Sequence, residues 1–162
     1  MSVRDLRVRN GDVELAGTLY LPTKALPHAT LLMVGGSGPT DRDNDVYFPA
    51  IRARLLDAGV AVASFDKRGV GGSTGDWHDG GPAELTADAL AELAHLRNEA
   101  GIDPDRVGVF GHSQGGWVVL ETAAADRATA FVITNAGPGV SPYRQERYAV
   151  EAGMRADGRP EA

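Results

Sequence analysis

The sequence of 162 residues contains no cysteine, few aromatic residues and no long apolar run. Without cysteine, the chain has no disulfide framework, no thiolate nucleophile and no Cys-ligated zinc. Aromatic residues make up 6% of the chain, so nothing points to a ring-shaped substrate. No apolar run approaches the ~18 residues that a membrane-spanning helix needs, so we expect no membrane partner. Residues 1–7 mix acidic and basic side chains without an apolar core, which is unlike a signal peptide, and we expect a cytoplasmic protein.

Positive charge is also scarce, because 16 Lys and Arg residues against 22 Asp and Glu residues give a formal net charge of −6. The cationic residues are scattered, and phosphate backbones repel an acidic surface that has no basic patch, so we expect no nucleic-acid partner. The hydrophobic and charged fractions, 43% and 23%, are ordinary for a soluble globular protein. A length of 162 residues corresponds to a single domain.

Four continuous apolar runs predict strands that are buried on both faces. They occupy residues 29–34, 60–65, 107–110 and 130–133. Strands without polar alternation are typical of a parallel sheet that is covered by helices on both sides.

Other segments predict a hairpin and four helices around these strands. Residues 3–20 alternate loosely around Asn10-Gly11, a strong hairpin signal, and we interpret them as a half-exposed edge pair. The predicted helices cover residues 48–56, 85–100, 115–125 and 143–155, the second ending at Gly101 and the third buried almost all round. The alternation of these predicted strands and helices along the chain predicts an α/β fold with a doubly wound, mostly parallel sheet and an N-terminal antiparallel hairpin.

The glycine-rich loops do not match nucleotide-binding motifs. A Walker A loop needs Lys followed by Ser or Thr, whereas Lys24 precedes Ala25 and Lys67 precedes Arg68. In the dinucleotide pattern G-x-G-x-x-G, Asp41 stands where the third glycine belongs. We therefore expect no cofactor, and no metal ion.

The strongest chemical signal is the sequence GHSQG at residues 111–115, directly between a predicted strand and a predicted helix. This is the nucleophile-elbow pattern G-x-S-x-G, in which a sharp turn raises the serine hydroxyl above the sheet at a helix N-terminus. A second match, GGSTG at residues 71–75, lies several residues after its strand and has no helix following it. Context therefore favours Ser113 as the nucleophile.

Four segments together resemble the N-terminal portion of the α/β-hydrolase superfamily, in its esterase-like and serine-peptidase-like members. They are residues 34–43, 65–73, 102–107 and 111–116, and the resemblance covers about residues 13–140. One position departs from the pattern, because relatives often have His where Gly35 stands.

The resemblance implies a serine hydrolase that acts on carboxylic esters, thioesters or amides through an acyl-enzyme, with esters the leading class. It implies that Ser113 is the nucleophile and that the backbone N–H groups of Gln114 and Ser37 form the oxyanion hole. We expect Asp66 and Arg68 to hold their loop by a salt bridge and a cap. The expected partner is a small-molecule ester or amide.

The base and the acid of a Ser-His-Asp triad are not found in this chain. The family order places the acid and the histidine after the serine, and no histidine follows Ser113. Of His28, His78, His95 and His112, only His78 lies in a loop at the expected edge of the sheet, and its surface position favours a structural role.

We therefore interpret the chain as a single incomplete domain that stops after its sixth strand, with a core at residues 1–140 and the start of a lid helix at residues 141–162. On its own it is expected to be nearly inactive, since losing the base costs a factor on the order of 10⁶ in turnover. The strand ending near Thr134 would leave an uncovered apolar edge, which favours self-association. The alternatives are a non-catalytic α/β-hydrolase-like binding module and a structural subunit.

Overall fold

A mixed sheet of six strands in the order β1-β2-β4-β3-β5-β6 forms the centre of the computed structural model, which describes residues 1–24 and 26–158. The strands are β1 (Ser2–Asn10), β2 (Val13–Leu21), β3 (His28–Val34), β4 (Ala61–Phe65), β5 (Ile102–His112) and β6 (Val132–Asn135). The helices are α1 (Tyr47–Ala58), α2 (Pro82–Leu96), α3 (Gly115–Ala125) and α4 (Pro142–Ala156), and a short 3₁₀ helix spans Trp77–Asp79. This confirms the predicted fold class and the predicted order of elements.

The N-terminal hairpin is present, but only one of its strands is at the edge of the sheet. Asn10 pairs with Val13 across a two-residue turn in which Gly11 has a φ of 59°. β2 also pairs antiparallel with β4, where Gly17 lies opposite Phe65. The interpretation as a half-exposed edge pair is therefore wrong for β2, which is an interior strand because its second edge is used by β4.

The four apolar runs form the parallel part of the sheet, with β3 between β4 and β5, and β6 next to β5. Helices cover both faces of β3, β4 and β5, but all four residues of β6 are exposed, so the predicted burial of the fourth apolar run is wrong. Phe48 of α1 packs in a cluster with Leu31 and Met33 on one face, and Leu93 of α2 packs in a cluster with Leu32 on the other. Neighbouring residues of β3 thus point into different cores, as the pleat of a strand requires. β6 begins two residues later than the predicted run.

Two helices differ from their predicted limits or burial. α2 ends at Leu96, before the predicted stop at Gly101, and Ala100 is exposed. The chain leaves the helix early because turns at residues 97–101 lead into β5. α3 has the predicted bounds but is buried on one side only, since Leu120 is 52% exposed.

α4 contacts the rest of the molecule weakly, and none of its side chains is buried. Ser141 caps it by accepting a hydrogen bond from the N–H of Arg144, and Pro142 is its first residue. Residues 159–162 of the predicted terminal segment lie outside the described residues. Among the helices of the described residues, none is long and apolar enough to cross a membrane.

Candidate active site

Three loops meet at the carboxyl ends of β3, β4 and β5. The loop after β3 contains the glycine-rich segment 35–38, which we call the oxyanion loop after the role predicted for it, and the loop after β4 begins at Asp66. The turn between β5 and α3 contains Ser113 and Gln114. Because β3 lies between β4 and β5, the oxyanion loop lies between the other two. In open α/β sheets, ligands bind at this edge.

Ser113 occupies a left-handed backbone conformation, with a φ of 52°. A residue with a side chain pays about 1–2 kcal/mol for this conformation. Two backbone hydrogen bonds hold the turn: the N–H of Ser113 donates to the carbonyl of Asn135 over 2.9 Å, and the N–H of Gly116 donates to the carbonyl of Ser113 over 2.8 Å. The side chain of Ser113 therefore stands on a fixed, strained turn at the N-terminus of α3.

Glycines two residues before and after Ser113 are required by the space around them. A Cβ at Gly111 would overlap the carbonyl oxygen of Gly115. A Cβ at Gly115 would lie 2.5 Å from the carbonyl oxygen of Val34 and 2.7 Å from that of Gly35. Both obstacles are backbone atoms, which cannot rotate away. The close approach of β3, β5 and α3 thus explains both glycines of the G-x-S-x-G pattern.

The oxyanion loop lies directly against Ser113. A Cβ built on Gly36 would be 3.5 Å from the Cβ of Ser113. Within residues 1–24 and 26–158, the backbone N–H groups of Ser37 and Gln114 donate to no protein acceptor. Neither donor is therefore engaged by another group in the described part of the chain.

Asn44 connects the oxyanion loop to the elbow. Its Oδ1 accepts a hydrogen bond from the N–H of Gly36 over 3.1 Å, so its Nδ2 faces the Nδ1 of His112, at 2.9 Å. Because Nδ2 is a donor, the Nδ1 of His112 is the acceptor, and the neutral ring carries its proton on Nε2. The ring of Tyr47 lies 4.8 Å from that of His112. His112 is thus committed to supporting the turn.

Lys67 connects the same two segments from the other side. Its Nζ donates to the carbonyl oxygens of Gly36 and Gly38, over 2.6 and 2.8 Å, and to the Oε1 of Gln114 over 3.4 Å. Burial lowers the pKa of the Lys67 ammonium to about 8. Neither Lys67 nor Asn44 belongs to a sequence pattern that predicts a role at the site. The available signal was weak: Lys67 follows an apolar strand at its carboxyl end, where side chains reach the site.

The loop after β4 is held by ion pairs and a backbone cap, as predicted. Arg42 forms an ion pair with Asp66, with 2.6 Å between Nη2 and Oδ2, and Asp66 also accepts from the N–H of Gly72. Burial raises the pKa of Asp66, but the hydrogen bonds from Arg42 and Gly72 outweigh it and hold the pKa below its usual range. Arg68 forms two hydrogen bonds with Asp88 of α2.

The second G-x-S-x-G match is structural. The hydroxyl of Ser73 donates to the carbonyl of Asp66 over 2.7 Å and accepts from the N–H of Ala16 over 2.9 Å. Its oxygen therefore joins the loop after β4 to β2, and a role as nucleophile would require both contacts to break.

Within the described part of the chain, no histidine hydrogen-bonds to the hydroxyl of Ser113. His28 is the first residue of β3, at the opposite edge of the sheet, and is buried. His95 is on α2, and its Nε2 lies 3.2 Å from a carboxylate oxygen of Glu99, which follows the helix. His78 is exposed on the 3₁₀ helix, where its Nδ1 lies 2.8 Å from Asp76.

The cavity that adjoins the oxyanion loop is small. Its volume is about 40 Å³, and its lining includes Gly35, Thr40 and Lys67. That is room for water and not for an acyl substrate, since ligand pockets measure roughly 300–1,000 Å³. Among residues 1–24 and 26–158, no group of three or more His, Asp or Glu side chains could hold a metal ion.

Comparisons with known proteins agree with this architecture. The family model described as X-Pro dipeptidyl-peptidase (S15 family) matches residues 10–159. The chain is 34% identical over 136 residues to the quorum-quenching protein AidA of Acinetobacter baumannii, covering 80% of this chain and 42% of that protein. It is 33% identical over 144 residues to the hydrolase LUC6 of a Fusarium species, covering 81% of this chain and 33% of that protein.

Among solved structures, the chain is similar to the α/β hydrolase GrgF of Penicillium sp. sh18. The TM-score is 0.76 at 22% sequence identity, and the match covers 99% of this chain and 57% of that one. The chain thus spans less than half the length of both curated relatives and a little more than half of this structure.

Proposed function

The chain belongs to the X-Pro dipeptidyl-peptidase (S15) family and has the α/β-hydrolase fold, and from this premise we propose that it is the portion of a serine hydrolase that carries the nucleophile and the oxyanion hole. The observation that carries the proposal is the position of Ser113, on a strained turn at a helix N-terminus, with the oxyanion loop packed against it. The left-handed backbone of Ser113 has a cost in strain, and residues held in such conformations cluster at active sites.

In the proposed reaction, the Oγ of Ser113 attacks the carbonyl carbon of an ester, thioester or amide. The carbonyl oxygen becomes an oxyanion, which accepts hydrogen bonds from the N–H groups of Ser37 and Gln114. Each donor is worth about 3 kcal/mol to the transition state. The positive end of the α3 dipole favours the same negative charge. Departure of the alcohol, thiol or amine leaves an acyl-enzyme on Ser113, which water then hydrolyses.

The base that accepts the proton of Ser113 is proposed to come from outside the described residues. His112 supports the turn through Asn44, and His78 is exposed on the 3₁₀ helix, where its ring contacts Asp76 and not the hydroxyl of Ser113. A serine hydroxyl without a base is a poor nucleophile. Loss of the base lowers turnover by a factor of about 10⁶. We therefore expect residues 1–162 alone to be nearly inactive.

A fluorophosphonate probe tests this proposal, because it forms a covalent bond with an activated serine. The natural protein in extracts of its source cells should be labelled, the Ser113→Ala variant should not, and the matched Ser73→Ala variant should retain its label. The isolated 162-residue chain should react orders of magnitude more slowly.

Labelling that survives Ser113→Ala would refute the assignment of the nucleophile. A natural protein that takes up no label at all would favour a non-catalytic binding module. The rates at which the natural protein hydrolyses matched aryl ester, thioester and anilide substrates would then show which of the three substrate classes it prefers.

A further inference from the structure

Lys67, like Asn44, connects the oxyanion loop to the elbow. The Nζ reaches two carbonyl oxygens of the loop, those of Gly36 and Gly38, and the side-chain oxygen of Gln114, which follows the serine. An ammonium group has three hydrogens, and these three acceptors take all of them. Lys67 has no hydrogen left for a substrate, so its contacts position other groups.

The charge of Lys67 is not balanced by a carboxylate. Within residues 1–24 and 26–158, no Asp or Glu forms an ion pair with its Nζ. The acceptors are all neutral oxygens, and burial is the cause of its lowered pKa. A buried ammonium group that contacts only neutral oxygens is stabilised less in its charged form than one that forms an ion pair with a carboxylate.

The charged groups that face Lys67 from neighbouring elements are already engaged. Asp66, on its own loop, is paired with Arg42 of the loop after β3. Arg68, also on its loop, is paired with Asp88 of α2.

Glu92 of α2 lines the same small cavity as Lys67. Burial, and after it the nearby charge of Asp88, raises the pKa of Glu92 well above its usual range. From the elbow, the Nδ1 of His112 faces the Nδ2 of Asn44. Loss of a proton from Lys67 would directly remove a contact of the oxyanion loop.

We propose that Lys67 is a positioning residue whose ammonium group fastens the oxyanion loop to Gln114 and so holds the N–H groups of Ser37 and Gln114 in register with Ser113. The catalytic part of this inference rests on the proposed function. The structural part, that the protonated side chain of Lys67 holds the two segments together, rests only on its three hydrogen bonds.

Deprotonation of Lys67 would release one of these contacts. A neutral amine has two hydrogens and a lone pair, and the lone pair repels whichever acceptor faces it. The contact to Gln114 is the longest of the three, at 3.4 Å, so it is the one expected to open. The oxyanion loop would then be held to the elbow by fewer contacts as the pH rises past about 8.

The chain contains two lysines, Lys67 and the exposed Lys24, which makes a direct titration practicable. With lysine labelled at ¹³Cε, the protein gives two side-chain signals in an NMR spectrum, and Lys24→Met assigns them. The Lys67 signal should titrate with a midpoint near pH 8, and the amide shifts of Ser37 and Gln114 should follow the same midpoint. Lys67→Met should abolish this pH dependence of the amides, and Lys24→Met should leave it unchanged.

Two results would overturn the proposal. One is a Lys67 midpoint near the ordinary pKa of lysine, about 10.4. The other is that the amide shifts of Ser37 and Gln114 do not change as Lys67 titrates. The wild-type titration needs no variant, so the test holds even if Lys67→Met fails to fold.

Activity supplies the second arm, with fluorophosphonate labelling and ester hydrolysis by the natural protein. The labelling rate of Lys67→Met should fall by about 10²-fold, which is the effect of a small misplacement of catalytic groups. The loss should appear in kcat with little change in KM, since Lys67 has no hydrogen for substrate. Lys67→Arg, which stays protonated throughout, should restore part of the rate and remove the decline above pH 8 that the wild type should show.

A change confined to KM, or an equal alkaline decline in wild type and Lys67→Arg, would argue against positioning. If Ser113 is never labelled, the proposed function fails while the NMR titration still decides whether Lys67 fastens the loop.

Discussion

At the scale of single residues, the packing around Gly115 determines the shape of the turn that presents Ser113. Gly115 has an ordinary backbone, so its requirement for glycine is purely steric: carbonyl oxygens of Val34 and Gly35 occupy the place of a side chain. Gly153 of α4 has no atom within 4 Å of a Cβ position. The two glycines therefore differ only in their surroundings and form a matched pair.

Gly115→Ala should destabilise the protein by about 1–3 kcal/mol or more, because the added methyl group forces backbone segments apart. Gly153→Ala should be neutral or stabilising by up to about 1 kcal/mol, because alanine favours helix over glycine. Chemical denaturation followed by circular dichroism measures both. Equal effects from the two substitutions would show that the close approach at Gly115 is not a constraint.

At the scale of elements, α2 is attached to the sheet by polar contacts as well as by its apolar stripe. Asp88 accepts two hydrogen bonds from Arg68 and one from Asn10 of β1. One turn later, Glu92 is 7% exposed, and within the described residues no protein donor hydrogen-bonds to its carboxyl group. Burial, together with Asp88, raises the pKa of Glu92 well above 4.5.

Glu92 should make the fold less stable as the pH rises. A carboxyl group whose pKa is raised in the folded protein favours the folded state at pH values below its pKa in the unfolded chain, near 4.5. This contribution to stability is lost as the pH rises through the pKa of the folded state. Glu92→Gln cannot ionise, so it should match the wild type near pH 4 and exceed its stability at pH 7 by about 1–3 kcal/mol. The exposed Glu84→Gln, on the same helix, should change stability by less than about 0.5 kcal/mol.

Urea denaturation of the three proteins between pH 4 and pH 7.5 measures this difference. A Glu92→Gln variant whose advantage does not grow with pH would mean that the carboxylate of Glu92 finds a partner in the folded protein.

At the scale of the whole molecule, the sheet ends in a strand with apolar residues on its surface. All four residues of β6 are exposed, and Val132 and Ile133 are 36% and 42% exposed. β6 pairs with β5 along one edge, and its position at the end of the sheet leaves the other edge without a neighbouring strand among the described residues. Such an edge is a template for pairing with another strand.

The 162-residue chain should therefore self-associate, and Ile133→Lys should reduce the association, because a lysine on an edge strand opposes pairing. Val46→Lys is the control, since Val46 is 80% exposed next to α1, away from the edge. Sedimentation velocity over a range of protein concentrations measures the effect. A wild-type chain that stays monomeric at high concentration, or a Val46→Lys variant that dissociates equally, would contradict the expectation.

Local patterns in the sequence were enough to predict the elements and the strained turn. Buried parallel strands need continuous apolar runs, and the turn at Ser113 needs glycines two residues away on either side, so both leave a mark within a few neighbouring residues. The lengths of the elements were less well predicted: α2 ends at Leu96 and not at Gly101, because tertiary contacts decide where the chain turns towards β5.

Patterns in the sequence were thus enough to predict the fold class and the candidate nucleophile, Ser113. The side chains that support the site became apparent only from contacts in the folded protein. Lys67 meets Gly36 and Gln114 across 31 and 47 residues of chain, and Asn44 meets His112 across 68. Contacts at such separations leave no periodicity or spacing in the sequence, because the order of strands in the sheet brings these residues together.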